Sequence, residues 1–170
     1  FKTITMSKKA DYTKTALQYN KRYRDTQFEK YRIMLSGLNL SGKILDHGCG
    51  TGLLSEFLKR DDLVGCDSSA GMLKVRGSGD HTNVEKLPYE DNQFDRVLSF
   101  SVLMNCKNPE KAILEIKRVL KPKGTIVCTF LKAFESKLKP MIAKNFTVKL
   151  ETTCGEDTGL ILEPKSVKQY

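Results

Sequence analysis

The stretch Lys43–Leu58, KILDHGCGTGLLSEFL, decides the fold. A short apolar run ends in Asp46, glycines follow at Gly48, Gly50 and Gly52, and a helical pattern starts at Leu53. A strand, a glycine turn and a helix aim the backbone N–H groups of the helix start at whatever lies beyond the strand. Glycines in that turn let a ligand lie against the main chain with no Cβ in the way. The spacing is G-x-G-x-G, not the G-x-G-x-x-G of dinucleotide-binding folds. A pyrophosphate has no need of an acid just before the turn. An acid there suits a ligand with a positive end, such as an α-amino group.

Outward from this stretch the chain alternates strand and helix signals. Lys43–Asp46 reads as a strand, Leu53–Lys59 as a helix, Leu63–Asp67 as a second strand and Ala70–Val75 as a helix. Phe94–Phe100 is a further strand. Pro109–Leu120 is an amphipathic helix with Ala112, Ile113, Ile116, Val119 and Leu120 on one face, opened by Asn108 as N-cap and Pro109 in the first turn. The run KPKG ends it, and Thr125–Phe130 follows as a strand. A helix near Ala133–Ala143 leads to Phe146–Thr152 and Leu160–Glu163, a hairpin around the turn-rich TCGEDTG. Such alternation predicts a doubly wound α/β fold, a parallel sheet covered on both faces, with an antiparallel terminal hairpin. Upstream, residues 12–36 have helical spacing, with Leu17, Tyr23, Phe28, Tyr31 and Leu35 as the apolar positions. The predicted organisation is one domain, with a helical segment at 1–40 that could act as a lid and a core at 41–170.

Asp67 ends the second strand, where doubly wound folds place a carboxylate for ribose hydroxyls. A ligand with both a ribose and a cationic end points to S-adenosylmethionine. Asp46 could instead be only a structural acceptor for its loop. Asp67 could cap the helix that follows, and Met72 could be an ordinary core methionine. His47 reads as a partly buried structural histidine and His81 as a solvent-exposed one.

Composition narrows the class. A chain of 170 residues suits a single core. No apolar run approaches the roughly 20 residues of a membrane span, and the start FKTITMSKKADY lacks the apolar stretch of a secretory signal. Met6 is a candidate natural start. Five cysteines, an odd count with no C-x-x-C pair, fit reduced thiols in a cytoplasmic protein better than a disulfide framework or a zinc site. Only two histidines are present, so no metal site is expected. Of the net charge of +9, residues 1–40 carry nine Lys/Arg less three Asp/Glu, or +6. That excess could steer RNA or simply be a solvated helix face.

The blocks ILDHGCGTG, LVGCDSSAGML and VEKLPYEDNQFDRVLSFSVLMNCKNPEKAILEIKRVLKPKGTIV together resemble the class I S-adenosylmethionine-dependent methyltransferases, and most of all the group of quinone-biosynthesis methyltransferases. The likeness runs from about Lys43 to Phe130. It implies a Rossmann-like seven-stranded sheet and S-adenosylmethionine as cofactor, with S-adenosylhomocysteine as product. By position, Asp46 would anchor the loop and reach the methionine amino group, and Gly48, Cys49 and Gly50 would line the methionine and ribose. Asp67 would hold the ribose hydroxyls beside Ser68, and Met72 would pack on the adenine. Asn83, where the family usually has an acid, would accept from the adenine amino group. Val84 N–H would meet a ring nitrogen, and the Ser99 carbonyl would meet the methionine amine.

The methyl acceptor is less legible. It should sit beyond the fourth strand, where SFSVLMNCKNPE lacks the histidines that similar proteins carry near Met104 and Asn105. Ser101 and Asn105 are the polar candidates for a catalytic role. Tyr12, Tyr19 and Tyr23 could form a lid, with Arg22 or Arg24 at the cofactor carboxylate, or the same helix could simply pack on the sheet flank. A small molecule, tRNA or protein could be the acceptor, and a homodimer mate or partner subunit could close the pocket. The competing function is a cofactor-binding module that serves a partner or regulates it.

Overall fold

The computed structural model describes residues 8–166, with side chains from residue 15 onward. The proposed start at Met6 and the side chain of Tyr12 lie outside what it describes. Seven strands form one sheet: β1 (Ile44–His47), β2 (Val64–Asp67), β3 (Asp80–His81), β4 (Phe94–Phe100), β5 (Leu120–Leu131), β6 (Phe146–Cys154) and β7 (Asp157–Pro164). The helices are α1 (Lys8–Leu35), α2 (Leu53–Leu58), α3 (Ala70–Arg76), α4 (Pro109–Val119) and α5 (Glu135–Asn145). Strand order is β3-β2-β1-β4-β5-β7-β6. Strands β1 to β5 pair in parallel, and β7 runs antiparallel to both β5 and β6. The order reverses between β1 and β4, so a crevice opens beyond their carboxyl ends, where open α/β sheets bind ligands.

The pleat sorts the strand residues between two cores. Leu45, Val97, Ile126, Cys128 and Phe130 face α4 and α5, packing on Ile113, Ile116, Leu138 and Ile142. Ile44, Leu98, Phe100 and Val127 face α1 and α2, packing on Tyr31, Met34, Leu53 and Leu54. Period-two alternation in a two-sided parallel sheet produces this division. The Asn108 cap acts as expected, while α3 is capped by Ser69 and not by Asp67. Asn108 accepts from Lys111 N–H at 3.1 Å and opens α4. Ser69 does the same for α3, accepting from Met72 N–H at 3.2 Å.

Two expectations need correction, and one strand was missed. The apolar stripe of α1 is shifted: Leu17 and Tyr23 are exposed, and Ala16, Gln27, Tyr31, Met34 and Leu35 are buried. The aromatic spacing of the sequence mixed residues from two faces. Strand β5 starts at Leu120, not Thr125, because KPKG bulges out of the ladder between the Phe94–Leu120 and Arg96–Thr125 pairs. Strand β3 carries no apolar signal, since it is two exposed residues long. Among the described residues no helix is long and apolar enough to cross a membrane. The five cysteines are free thiols, four of them buried.

Helix α1 is the element that matters most for the site. Its C-terminal half is fixed on the sheet by aromatic packing. Tyr31 meets Phe100 edge-on at 4.8 Å between ring centroids, and Phe28 and Tyr31 both pack on Phe57 of α2. Its contacts also extend to α3 and β6. Tyr31→Ala should cost about 3–5 kcal/mol, the usual range for deleting a buried aromatic ring. Denaturant unfolding of the variant reads this directly, and a loss below about 1 kcal/mol would mean that α1 is not anchored by this cluster.

Candidate functional site

The loop after β1 is built by its glycines and by one carboxylate. Gly48 has φ +70, and a Cβ there would come within 2.4 Å of Val102 Cγ2. Gly50 has φ +53, and a Cβ would meet nothing within 4 Å. Gly48 is therefore required by packing, while Gly50 borders open space. Asp67, at the end of β2, accepts from Gly50 N–H at 2.9 Å with one oxygen and from Ser69 N–H at 2.8 Å with the other. It is not the cap of α3, which is Ser69. One contact from α1 completes the frame: Thr51 Oγ1 donates to Asn20 Oδ1.

Asp46 is 4% exposed, and its Oδ2 has no hydrogen-bond partner. Burial pushes its carboxyl up to about 7, against a partial lowering by the Arg76 charge. A buried, orphaned carboxylate oxygen is costly unless something cationic reaches it. It lines a chamber of about 40 Å³ with Tyr19, Gln27, Tyr31, Gly50 and Thr51. A cavity of about 490 Å³ over the same glycines is lined by Asp67, Ser68, Met72, Asn83 and Val84. The sequence-expected residues thus come together around one crevice, with Cys49 in the small chamber. Ser99 differs. It lines neither cavity; Phe100 and Ser101 do. Its hydroxyl lies 3.0 Å from His47 Nδ1.

His47 is fully buried, not partly so. Its Nε2 lies 3.0 Å from the Val84 carbonyl, which can only accept. Nε2 therefore carries the proton and Nδ1 accepts from Ser99. Burial lowers its pKa, which keeps that neutral tautomer. The ring ties β1 to β4 and to the Asn83–Val84 loop, a positioning task. Asn83 Oδ1 accepts from Glu85 N–H at 2.9 Å. His81 is exposed, with Nε2 3.0 Å from the Ser68 carbonyl.

A second cavity of about 760 Å³ adjoins the first, between α1 and the β6–β7 turn. Ser101, Asn105 and Tyr19 line both. Tyr23, Met104 and Leu131 supply apolar wall, and Lys30 and Asp157 form an ion pair at 2.8 Å on its lining. Sequence reading missed that pair, because nothing local links residues so far apart. The arginines proposed for the cofactor carboxylate lie elsewhere: Arg24 pairs with Glu56 at 2.5 Å, and Arg22 lies over the Tyr23 ring. Among the described residues no group of three or more His, Cys, Asp or Glu could hold a metal ion.

The residues fit S-adenosylmethionine: a free buried carboxylate for the ammonium end, a carboxylate with remaining lone pairs for two hydroxyls, and Met72 with Asn83 and Val84 for the base. Residues 45–128 match the methyltransferase domain family, and the chain belongs to the class I S-adenosylmethionine-dependent methyltransferases. Within that class it is related to the quinone-biosynthesis group. A ubiquinone/menaquinone biosynthesis C-methyltransferase of Hydrogenovibrio crunogenus is 34% identical over 136 residues, 70% of this chain and 52% of that protein. An uncharacterized protein of Methanocaldococcus jannaschii is 30% identical over 150 residues, 83% of this chain and 59% of its own length. The chain thus spans between half and three-fifths of these relatives. Among solved structures, a chain from the complex between the Haloferax volcanii Trm112 methyltransferase activator and a methyltransferase has a TM-score of 0.77 at 14% identity, covering 96% of this chain and 100% of that one. At that identity the likeness is one of fold.

Two variants test the frame. Asp67→Ala leaves two loop N–H groups without their acceptor and should cost about 1–3 kcal/mol of stability; thermal melting unchanged from the native chain would contradict this. Asp46 binds a proton in the folded protein that the unfolded chain, with its ordinary carboxyl, does not. Its contribution to stability is therefore full below about pH 4 and lost as pH rises through about 7. Asp46→Asn should melt above the native chain at pH 8, by up to about 4 kcal/mol in stability, and the difference should shrink toward pH 5.

Proposed function

We propose that the chain transfers a methyl group from S-adenosylmethionine to a small molecule held in the cavity between α1 and the β6–β7 turn. The observation that carries this reading is the orphaned carboxylate of Asp46 at the end of a glycine-lined crevice. When bound, the sulfonium supplies an already activated methyl group. The protein's own work is then orientation and exclusion of water. Asp46 would hold the ammonium end, Asp67 the ribose hydroxyls, and Met72, Asn83 and Val84 the base. Helix α1 supplies part of the wall of both cavities through Tyr19, which supports a covering role for this helix.

The acceptor cavity favours a small molecule over RNA. Its lining includes the carboxylates Glu29, Glu156 and Asp157 against the single ammonium of Lys30. A polyanion would meet repulsion there in spite of the chain's net +9. The direct test is methyl incorporation from labelled cofactor into extract separated into metabolites, RNA and protein. Label in the metabolite fraction is expected. Label in RNA alone would overturn the acceptor assignment, and cofactor binding with no label anywhere would favour a binding module.

Cofactor affinity should depend on pH in a defined direction. An ammonium group favours ionised Asp46, so below about pH 7 binding must first expel a proton. Affinity for S-adenosylhomocysteine should rise by roughly tenfold per pH unit from pH 5 and level off above about 7. Calorimetry in buffers of different ionisation enthalpy would register proton release at pH 6. Binding that ignores pH over this range would remove Asp46 from the ammonium site.

A further inference from the structure

The two cavities meet at Ser101, and the chain holds this residue in an unusual state. Its φ is +59, in the left-handed region that a side chain makes costly. The turn is fixed from several sides. Ser101 N–H donates to the Thr129 carbonyl at 3.0 Å, and Asn105 Nδ2 donates to the Ser101 carbonyl at 3.1 Å. The hydroxyl lies 3.2 Å from Lys30 Nζ and 3.3 Å from Asp157 Oδ2. Those two groups are 12% and 1% exposed. In every other ion pair among the described residues both partners are at least 22% exposed. Burying a pair costs desolvation, so this one is expensive to keep.

The hydrogen-bond inventory at Ser101 then has one solution. An ammonium can only donate, so Lys30 takes one lone pair of the hydroxyl oxygen. A carboxylate can only accept, so the hydroxyl proton points to Asp157. One lone pair remains at the junction of the cavities, and the group can no longer donate to a ligand. We infer that Ser101 positions the methyl acceptor by accepting a hydrogen bond from an O–H or N–H at the atom to be methylated, so that the substrates are hydroxyl or amine compounds and not carbon nucleophiles. That atom forms its bond to the methyl carbon as the S–CH₃ bond breaks with its electron pair left on sulfur, and the acceptor's proton passes through the Ser101 hydroxyl to the Asp157 carboxylate. This rests on the methyl-transfer reading above. A merely structural role does not explain the serine. The Lys30–Asp157 pair touches directly at 2.8 Å without it, and glycine would adopt φ +59 at lower cost.

The test uses the full chain, S-adenosylmethionine carrying a ¹³C methyl group, and a metabolite extract as acceptor source. The chemical shift of the transferred carbon separates O–CH₃ and N–CH₃ from C–CH₃. The expected product carries the label on oxygen or nitrogen. Ser101→Gly should melt above the native chain, bind S-adenosylhomocysteine within twofold of it, and transfer methyl at least about tenfold more slowly to the same acceptor. A C–CH₃ product, or a Ser101→Gly variant that transfers at the native rate, would overturn the inference and leave methyl transfer standing. S-adenosylhomocysteine binding without transfer to any fraction would instead reject the methyl-transfer reading, and this inference with it.

Discussion

The Gly50 amide donates to the Asp67 carboxylate, and the shape of the crevice depends on that contact. It joins the loop after β1 to the end of β2, two segments that would otherwise be independent surface turns. Asp67 also fixes Ser69, whose hydroxyl then starts α3. One side chain thus sets the glycine loop, the second loop and the helix that follows. The same carboxylate has lone pairs left for a ligand, so the proposed recognition would share a residue with the structure. Substituting it would disturb both, and loss of binding alone would not separate the two.

Asp46 makes the opposite bargain. It sits one strand away, buried and unsatisfied, and its carboxyl is held near neutrality by burial. A side chain in that state destabilises the empty fold and gains when a cation arrives. Arg76 lowers the cost in part through its charge. Strain of the same kind recurs at Ser101, a non-glycine residue in left-handed backbone beside a buried ion pair. Both lie at the carboxyl ends of β1 and β4, where the strand order reverses. The fold tolerates these costs because a buried apolar core packs against each side of the sheet.

Much of this was legible in the sequence, for reasons that differ by element. β4 and α4 announce themselves by dense apolar patterning and by the Asn108–Pro109 cap. The glycine loop and its acids are local, so their spacing alone marked the turn around which the crevice opens. α1 misled, because its aromatics include the exposed Tyr23 as well as the buried Tyr31, and the small Ala16 and the polar Gln27 belong to the buried face. β3 left no trace, being two polar residues held by β2. The acceptor side was the least legible. Lys30 and Asp157 meet only after α1 and the β6–β7 hairpin have docked on opposite sides of the crevice. Ser101 could be suspected as a polar residue beyond β4, but neither its backbone conformation nor its two partners are written locally.

The central claim is that the crevice between Asp46 and Asp67 is built for a ligand with an ammonium at one end and a ribose in the middle. A crystal structure of the protein grown with S-adenosylhomocysteine tests it most directly. The account predicts ligand density along Gly48–Gly50, with the amino group on the Asp46 side and the ribose at Asp67. Density elsewhere, or an empty crevice at saturating ligand, would contradict it.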